Sequence, residues 1–373
     1  MKQQIVTIFG KLTRRVSQIK GGGGSALPGL LVERIDPLYL QRTLSQLSHG
    51  VVLVSGTNGK TTTTKMVVEL LQSQQLRVFT NRTGSNFTRG IVAALIESVD
   101  RNGVLPFDIA VLELDEAYAV KFSSQIKPTY SLFLNVLRDQ LDRFGEIDAT
   151  ATMLQKVAQN TTDGVVVNLD DPRLSSKEFV KDATASVWTY GVSEAIARQF
   201  PSDDDMRNTG NKPVSAPNNA TRDTTHTSLE SFEGSTAVIG YGGKNHNVSL
   251  RLKGIYNIQN ATAAVALTRL IMGEGLHEAE MLRALSSVTP AFGRGEDIKI
   301  NNQTVELVLV KNPSGFRLSL ASFPPKGVAT MIAVNDKYAD GRDMSWLWDV
   351  DFHSLQPTGV AAVTGIRAYD MAL

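Results

Sequence analysis

A glycine-rich run followed by a lysine and two threonines is the part of this sequence best suited to chemistry. Gly56–Thr62 reads GTNGKTT and comes directly after the apolar run VVLVS at Val51–Ser55. The backbone N–H groups of such a loop, with those of the following helix, form an anion site. Lys60 then suits the β- and γ-phosphates of a nucleotide, and the Thr61 hydroxyl suits Mg²⁺. The alternative is a turn that only caps a helix.

The spacing of this loop departs from the ordinary Walker pattern. That pattern, GxxxxGK[ST], would place its first glycine at position 54, where the chain has Val54. Glycine stands at Gly56 instead, which gives GxxGKT. The strand–loop–helix context nevertheless favours a phosphate loop that includes Thr57, Asn58 and Gly59.

An acidic cluster follows another apolar run. Glu113, Asp115 and Glu116 lie in VLELDEA, at the predicted carboxyl end of a strand. Ligands bind at this edge of a doubly wound sheet, and Mg²⁺ prefers oxygen ligands. Glu113 is therefore the candidate partner of Thr61 at a metal ion. A helix-capping role is the alternative, and it is stronger for Glu116.

A second acidic pair follows the next strand. Asp139 and Asp142 lie in NVLRDQLDRFGE at Asn135–Glu146. They could bind a second metal or orient a substrate. They could equally cap a helix and form a salt bridge, and the residues alone do not separate these alternatives.

Strands and helices alternate from Val51 onward, which predicts an α/β fold with a doubly wound, mostly parallel sheet. We expect an N-terminal arm at 1–50, a central ATP-binding domain at 51–292 and a smaller C-terminal α/β domain at 293–373. The stretch from Ser193 to Ser235 is polar and predicts a mobile surface insertion. Pro290–Glu296 predicts a hinge.

The composition is that of a soluble globular protein. Lys and Arg number 38 and Asp and Glu 37, a net charge of +1, which argues against a general nucleic-acid surface. With no cysteine, the chain has no disulfide, thiolate zinc site or cysteine nucleophile. No apolar run is long enough to span a bilayer and no signal peptide is recognisable, so we expect a cytoplasmic protein.

The first 20 residues show the periodicity of a basic amphipathic helix. We expect this helix to dock on its own domain, and contact with an anionic membrane is the alternative. Its apolar positions on one face are Ile5, Ile8, Phe9, Leu12, Val16 and Ile19.

The loop GTNGKTT resembles that of the Mur ligases and folylpolyglutamate synthetases. Over nearly the whole chain the sequence resembles the MurT family, the ligase-like subunits of lipid II isoglutaminyl synthase. The blocks that carry this resemblance are NRTGSNFTRGI at Asn81–Ile91, LELDEA at Leu112–Ala117, NVLRDQLDRFGEID at Asn135–Asp148, GIYNIQNATAA at Gly254–Ala264, AFGRGE at Ala291–Glu296, KNPSGF at Lys311–Phe316, NDKYADGRDMSWLWDVDF at Asn335–Phe352 and GIRAYDMAL at Gly365–Leu373.

The resemblance implies ATP-dependent amidation of the α-carboxylate of D-glutamate in the lipid II stem peptide, with ammonia from a GatD-type glutaminase subunit. It places ATP phosphates on Gly56–Thr62, with Lys60 as a catalytic cation, and Mg²⁺ on Thr61 and Glu113. It places Asn257 and Asn260 on the adenine side, and Arg294 in the hinge as an arginine that reaches ATP. The family also lends an aspartate to the partner's Cys–His pair. We expect this to be Asp349, among the candidates Asp336, Asp340, Asp343, Asp349 and Asp351.

Three departures from the family pattern affect these expectations. The family's four-cysteine zinc ribbon has no counterpart, so zinc is not expected. The family pattern continues beyond Leu373, so we expect a truncated C-terminal domain. Gln140 stands where other Mur ligases have a metal-binding histidine, which puts a second Mg²⁺ in doubt. Two alternative functions stay open: a folylpolyglutamate-synthetase-like amino acid ligase, and a nucleotide-binding scaffold without turnover.

Overall fold

A computed structural model describes residues 2–19, 26–81, 88–138, 147–202, 205, 223–290, 294–323, 326–337 and 344–373. For residues 2–5, 16–19, 26, 27 and 294 it describes the backbone only.

Within the described residues, a nine-stranded sheet occupies the centre of the fold, in the order β2-β3-β1-β4-β5-β6-β7-β8-β9. Pairing is parallel from β2 through β7 and antiparallel from β7 to β9. In chain order the strands are β1 (Val51–Ser55), β2 (Val78–Thr80), β3 (Ile109–Glu113), β4 (Tyr130–Phe133), β5 (Gly164–Asn168), β6 (Ser186–Val192), β7 (His226–Glu233), β8 (Thr236–Tyr241) and β9 (Lys244–Ser249).

Helices cover both faces of this sheet, as parallel strands require. The described helices are α1 (Lys2–Ile19), α2 (Ala26–Ile35), α3 (Tyr39–Leu44), α4 (Lys60–Ser73), α5 (Thr88–Ser98), α6 (Glu116–Gln125), α7 (Ile147–Asn160), α8 (Lys177–Val180), α9 (Ile255–Met272), α10 (Glu278–Ser287), α11 (Pro313–Ser322) and α12 (Ala368–Ala372).

The side chains of β1 alternate between two separate apolar cores. Val52 and Val54 pack on the side of α4, α9 and α10. Val51 and Leu53 pack on the side of α5, α6 and α7, where α1 to α3 also contribute. Because both faces are buried, β1 is a continuous apolar run. The α/β fold class with a doubly wound, mostly parallel sheet is confirmed.

The C-terminal part has its own small core. This part of the chain contains an antiparallel hairpin, β10 (Arg294–Ile300) with β11 (Gln303–Val308), and a parallel pair, β12 (Met331–Ala333) with β13 (Ala362–Thr364). A short 3₁₀ turn, Ser345–Asp349, packs with α11 through Phe316 and Trp346. The division at residues 50 and 292 stays a prediction.

The polar stretch from Ser193 to Ser235 is not wholly a surface insertion, as the sequence suggested. Residues 203, 204 and 206–222 lie outside the described part, but β7 begins at His226 and pairs with β6 and β8. Its first four residues are buried. The two following strands, β8 and β9, were also not predicted. Within the predicted hinge, Pro290–Glu296, residues 291–293 lie outside the described part and Arg294–Glu296 begins β10, so the hinge stays a prediction.

The N-terminal helix docks on its own domain, but its orientation differs from expectation. Val6 is buried, and Gly10 packs against Val32 and Ile96. The predicted apolar face points outward in part, since Ile8, Phe9 and Leu12 are 48%, 41% and 55% exposed. Among the described residues, no helix combines the length and apolar character needed to cross a bilayer.

Candidate functional site

The loop between β1 and α4 has a backbone that only glycine allows at two positions. Gly56 and Gly59 have φ values of 133° and 88°. A Cβ at Gly56 would lie 2.9 Å from the Asn135 backbone nitrogen, and one at Gly59 would lie 2.6 Å from Asn260 Oδ1. The loop is therefore a close-packed cradle whose N–H groups precede a helix N-terminus, an arrangement suited to anions.

Asn135, which lies just after β4, holds one side of this loop through hydrogen bonds. Its backbone oxygen accepts from Thr57 N at 3.0 Å. Its side chain accepts from Asn58 N at 2.8 Å and donates to Asn58 O at 3.1 Å. Thr57 Oγ1 also accepts from Leu137 N at 3.0 Å. These contacts hold the loop in shape without using the hydroxyl of Thr61.

Asp171 fixes the backbone of Val136, the residue that follows Asn135. Its buried carboxylate accepts from Val136 N at 2.6 Å and from the backbone of Arg173 and Leu174 at 2.9 and 3.1 Å. Burial raises the pKa of the Asp171 carboxyl to about 6, although the three N–H groups favour ionisation.

Thr61 and Glu113 are brought together as the sequence predicted. Thr61 Oγ1 donates to Glu113 Oε1 at 2.9 Å. Asn81 fixes the backbone of Glu113 from the other side, donating to its carbonyl at 2.9 Å and accepting from its N–H at 3.1 Å. The result is two hard oxygen donors on rigid elements, one from the first turn of α4 and one from the end of β3.

Two protein oxygens suit a Mg²⁺ ion that phosphate and water also coordinate. They are too few for a metal ion that is coordinated by protein side chains alone. The described residues contain no cluster of three or more His, Cys, Asp or Glu side chains that could hold an ion. Mg²⁺ is commonly bound by one or two protein oxygens together with phosphate oxygens and water. Asp139 and Asp142, the candidates for a second metal, lie outside the described residues.

Lys60 is held inside the loop by acceptors. Its Nζ donates to the carbonyls of Gly56 and Thr57 at 2.6 and 3.2 Å. It also lies 3.5 Å from Asp115 Oδ1 and 3.9 Å from Glu116 Oε1. Asp115 and Glu116 thus surround a cation, which gives them a role in addition to the start of α6.

Asn257 and Asn260 lie near the start of α9, and Asn260 packs against Gly59. Asn257 is fully buried and donates to Lys253 O at 2.6 Å. Its Oδ1 has no hydrogen-bond partner in the part of the chain that the structure describes. A buried acceptor without a partner is costly and is consistent with a missing donor. Of the other predicted nucleotide-binding residues, Thr62 is buried in the first turn of α4. Arg294 is the first residue of β10, and only its backbone is described.

Asp349 does not lie free on the surface. Its Oδ2 accepts from Arg138 Nη1 at 2.8 Å, and its carbonyl accepts from Arg317. Of the other candidates, Asp336 pairs with Arg367 at 3.5 Å and Asp351 pairs with His353. Asp340 and Asp343 lie outside the described residues.

Sequence reasoning missed a reciprocal amide pair between the loop and the C-terminal part. Asn58 Nδ2 donates to Asn312 Oδ1 at 3.1 Å, and Asn312 Nδ2 donates to Asn58 Oδ1 at 2.9 Å. Asn312 also caps α11, since its Oδ1 accepts from Gly315 N at 2.8 Å. The cap could have been found, because asparagine before proline is a helix-start signal, but its long-range partner could not.

Comparison with protein families gives two matches that together span most of the chain. Residues 54–268, which include the loop, Glu113 and both α9 asparagines, match the Mur ligase middle domain. This chain belongs to the Mur ligase family. Residues 309–373 match the MurT ligase C-terminal region. As a Mur ligase, the chain is an ATP-dependent ligase.

Curated relatives carry names from the same family. The chain is 29% identical to the lipid II isoglutaminyl synthase (glutamine-hydrolyzing) subunit MurT of Staphylococcus aureus (strain COL), covering 100% of this chain and 87% of that protein. It is 28% identical to the subunit of the same name from Streptococcus pneumoniae, covering 98% and 86%. This similarity confirms the MurT resemblance seen in the sequence.

Solved structures support the Mur ligase fold. The MurF ligase of Thermotoga maritima in complex with ADP superposes with a TM-score of 0.58 at 20% identity. The match covers 80% of this chain and 63% of that one.

Proposed function

We propose that this chain is the ligase subunit that amidates lipid II. The reaction converts the α-carboxylate of D-glutamate in the stem peptide to D-isoglutamine, and peptidoglycan biosynthesis is its setting. The observation that carries the proposal is the similarity over the whole chain to subunits named MurT. The geometry of the phosphate loop supplies the chemistry.

In this proposal ATP phosphates lie on the Gly56–Thr62 loop, and Thr61 and Glu113 hold Mg²⁺. Bound Mg²⁺ neutralises charge on the phosphate oxygens and polarises the phosphorus. Lys60 leaves the Gly56 and Thr57 carbonyls for the phosphates, which requires no large movement because its Nζ already lies within the loop. By the family resemblance, we assign Asn257 and Asn260 to the adenine side and Arg294, the first residue of β10, to ATP.

The proposed chemistry proceeds through an acyl phosphate. A carboxylate oxygen attacks the γ-phosphorus, and the bond from that phosphorus to the bridging oxygen breaks as ADP leaves with the electron pair. Ammonia then attacks the acyl carbon, the carbon–oxygen bond to phosphate breaks, and nitrogen gives up a proton. Phosphorylation is needed because a carboxylate is a poor electrophile. Lys60 favours the first step by balancing charge on the transferring group.

The ammonia would come from a GatD-type glutaminase subunit in a heterodimer. We propose that Asp349 orients the catalytic histidine of that partner, as a carboxylate does in other triads. Asp349 is 40% exposed at its side chain and pairs with Arg138, which is 29% exposed. Exposed ion pairs are weak, so this pair can open when the partner binds.

We also propose that the protein works at the cytoplasmic face of the membrane. The outward face of α1 presents Ile8, Phe9 and Leu12 with Arg15 beside them, a combination suited to an anionic bilayer. Co-sedimentation with phosphatidylglycerol vesicles should fall for Phe9→Glu and stay unchanged for Gln125→Glu, which makes the same change in charge at an exposed position on α6. Equal sedimentation of both variants would refute the membrane contact.

The central test is mass spectrometry of lipid II incubated with this chain, ATP and Mg²⁺. One arm contains ammonium, and the other contains a GatD-type partner and glutamine. We expect the small mass decrease that accompanies replacement of a hydroxyl by an amino group. It should require ATP, disappear in Lys60→Ala and persist in Lys121→Ala.

The other outcomes separate the alternatives. Nucleotide binding without amidation in either arm would favour a scaffold subunit. A mass increase that appears only when free amino acids are supplied would favour an amino acid ligase of the folylpolyglutamate-synthetase kind.

A further inference from the structure

Two short chain segments connect the phosphate loop to the Asp349 turn, which is the 3₁₀ turn Ser345–Asp349. Both segments start at a partner of Asn58 and both end at an arginine that contacts Asp349. Since Asn58 lies inside the proposed phosphate loop, this connection joins two sites that are far apart in the sequence.

The first segment runs from Asn135 to Arg138. Asn135 bonds the backbone of Asn58 through two hydrogen bonds of 2.8 and 3.1 Å. Arg138, three residues later, donates to Asp349 Oδ2 at 2.8 Å. Between them, Val136 is buried and its N–H is held by Asp171 at 2.6 Å. The segment therefore has little freedom to absorb a displacement at the loop.

The second segment runs from Asn312 to Arg317. Asn312 is 1% exposed and forms the reciprocal amide pair with Asn58. Its side chain also caps α11, so the pair is attached to a rigid helix. Arg317, on the second turn of α11, donates to the Asp349 carbonyl. Phe316 on the same helix packs edge-on against Trp346, with ring centroids 6.3 Å apart.

We propose that Asn312 and Arg138 are positioning residues that couple occupancy of the phosphate loop to the position of the Asp349 turn. Anion binding uses N–H groups of the loop other than those of Thr57 and Asn58, which Asn135 holds, and it moves Lys60 off its carbonyls, so it changes the backbone on either side of Asn58. The rigid segments carry that change to Asp349, where the half-exposed ion pair with Arg138 is made or broken. The inference rests on the proposed nucleotide site.

Tryptophan emission offers a direct readout of this coupling. The chain has three tryptophans, and Trp346 and Trp348 both lie in the Asp349 turn. Trp188→Phe removes the third, which belongs to the central sheet. In this background a non-hydrolysable ATP analogue with Mg²⁺ should change the emission of the turn, while calorimetry measures binding of the analogue independently.

Two substitutions interrupt the segments separately. Asn312→Ser keeps a capping hydroxyl for α11 but removes the amide pair with Asn58. Arg138→Gln removes the ion pair with Asp349. We expect each variant to bind the analogue with an affinity within a few-fold of the parent and to show a smaller emission change. The double variant should bind without any emission change. Asn247→Ser, at an exposed position on β9, is the matched control and should respond fully.

Binding and emission together distinguish the ways in which this could fail. If the double variant binds and responds fully, or if the parent binds without an emission change, the coupling is refuted and the nucleotide site stands. If the parent does not bind the analogue at all, the nucleotide site itself is refuted, and the coupling falls with it.

Discussion

At the scale of single residues, the site depends on two close contacts, one made by Gly59 and one by Thr61. Gly59 permits the approach of Asn260, and Thr61 reaches Glu113 across the gap between α4 and β3. Both contacts join segments far apart in the sequence. Substitutions that add a single methyl group or exchange a single hydroxyl are therefore the most informative tests.

Gly59→Ala should weaken nucleotide binding at least tenfold, because the new Cβ would lie 2.6 Å from Asn260 Oδ1. Gly234→Ala is the matched control, since Gly234 also has a positive φ, 58°, but nothing within 4 Å of the added Cβ. Both variants incur a backbone cost of about 1 kcal/mol. Calorimetric titration with ADP and thermal melting would separate the two effects. Normal ADP affinity in Gly59→Ala would contradict the role given to this cradle.

Thr61→Val should lower kcat/KM by about 10- to 100-fold. Loss of a residue that only hydrogen-bonds to a metal ligand already costs this much. The substitution keeps the branched shape and removes the oxygen that donates to Glu113. Thr61→Ser keeps that oxygen and should retain most of the activity. The measurement is the Mg²⁺ dependence of phosphate release, in which Thr61→Val should need far more Mg²⁺. Equal Mg²⁺ curves for the Val and Ser variants would exclude Thr61 from metal binding.

At the scale of elements, the sequence predicted the parts of the fold that are apolar runs. β1, β3 and β5 are apolar runs whose side chains are buried on both faces of the sheet. Among the missed strands β7 to β9, the last was missed for a physical reason. β9, KNHNVS, has mostly exposed side chains, so it has no apolar signal and is held by pairing with β8.

The same contrast applies to the site. Thr61 and Glu113 could be paired from the sequence because Thr61 follows β1, Glu113 ends β3, and both strands end at one edge of the sheet. Asn312 could not be paired with Asn58, because 254 residues separate them and no spacing rule predicts such a contact. The face of α1 was misassigned because Gly10, with no side chain, forms the tight docking contact while larger apolar residues stay outside.

Asp171 makes the segment after β4 sensitive to pH. Its folded pKa, about 6, lies above the ordinary aspartate value, so the folded state keeps a proton that the unfolded chain loses. This group's contribution to stability is therefore full at low pH and is lost as pH rises from about 4 to about 6, by about 3 kcal/mol at most. Urea unfolding across this range should show a downward slope with pH that Asp171→Asn lacks. Parallel curves for the two proteins would show that Asp171 titrates normally.

At the scale of the whole molecule, the cores differ greatly in size. The two cores beside the central sheet contain most of the buried apolar side chains. The C-terminal core is built around Phe316, Ile332, Val334 and Trp346 with a few neighbours. A region with few buried apolar contacts unfolds locally at a lower free-energy cost, so we expect the C-terminal part to unfold before the central sheet.

Phe316→Ala should destabilise the C-terminal part by about 3–5 kcal/mol, the usual cost of removing a buried phenylalanine. Its ring packs edge-on with Trp346 and Phe352. Thermal melting followed by tryptophan emission in the Trp188→Phe background should shift to lower temperature, whereas far-UV circular dichroism should change little. A common shift in both signals would mean that the two parts unfold as one cooperative unit.

The change from parallel to antiparallel pairing at β7 has a consequence for how the protein folds. β7, β8 and β9 are joined by tight turns, so their contacts close short loops. In contrast, β1 must find β3 and β4 across long stretches of chain, and such non-local pairing is slow. The meander is therefore expected to form early, as an edge onto which the parallel strands add. Pulse-labelled hydrogen exchange during refolding should then protect the amides of 236–249 before those of 51–55.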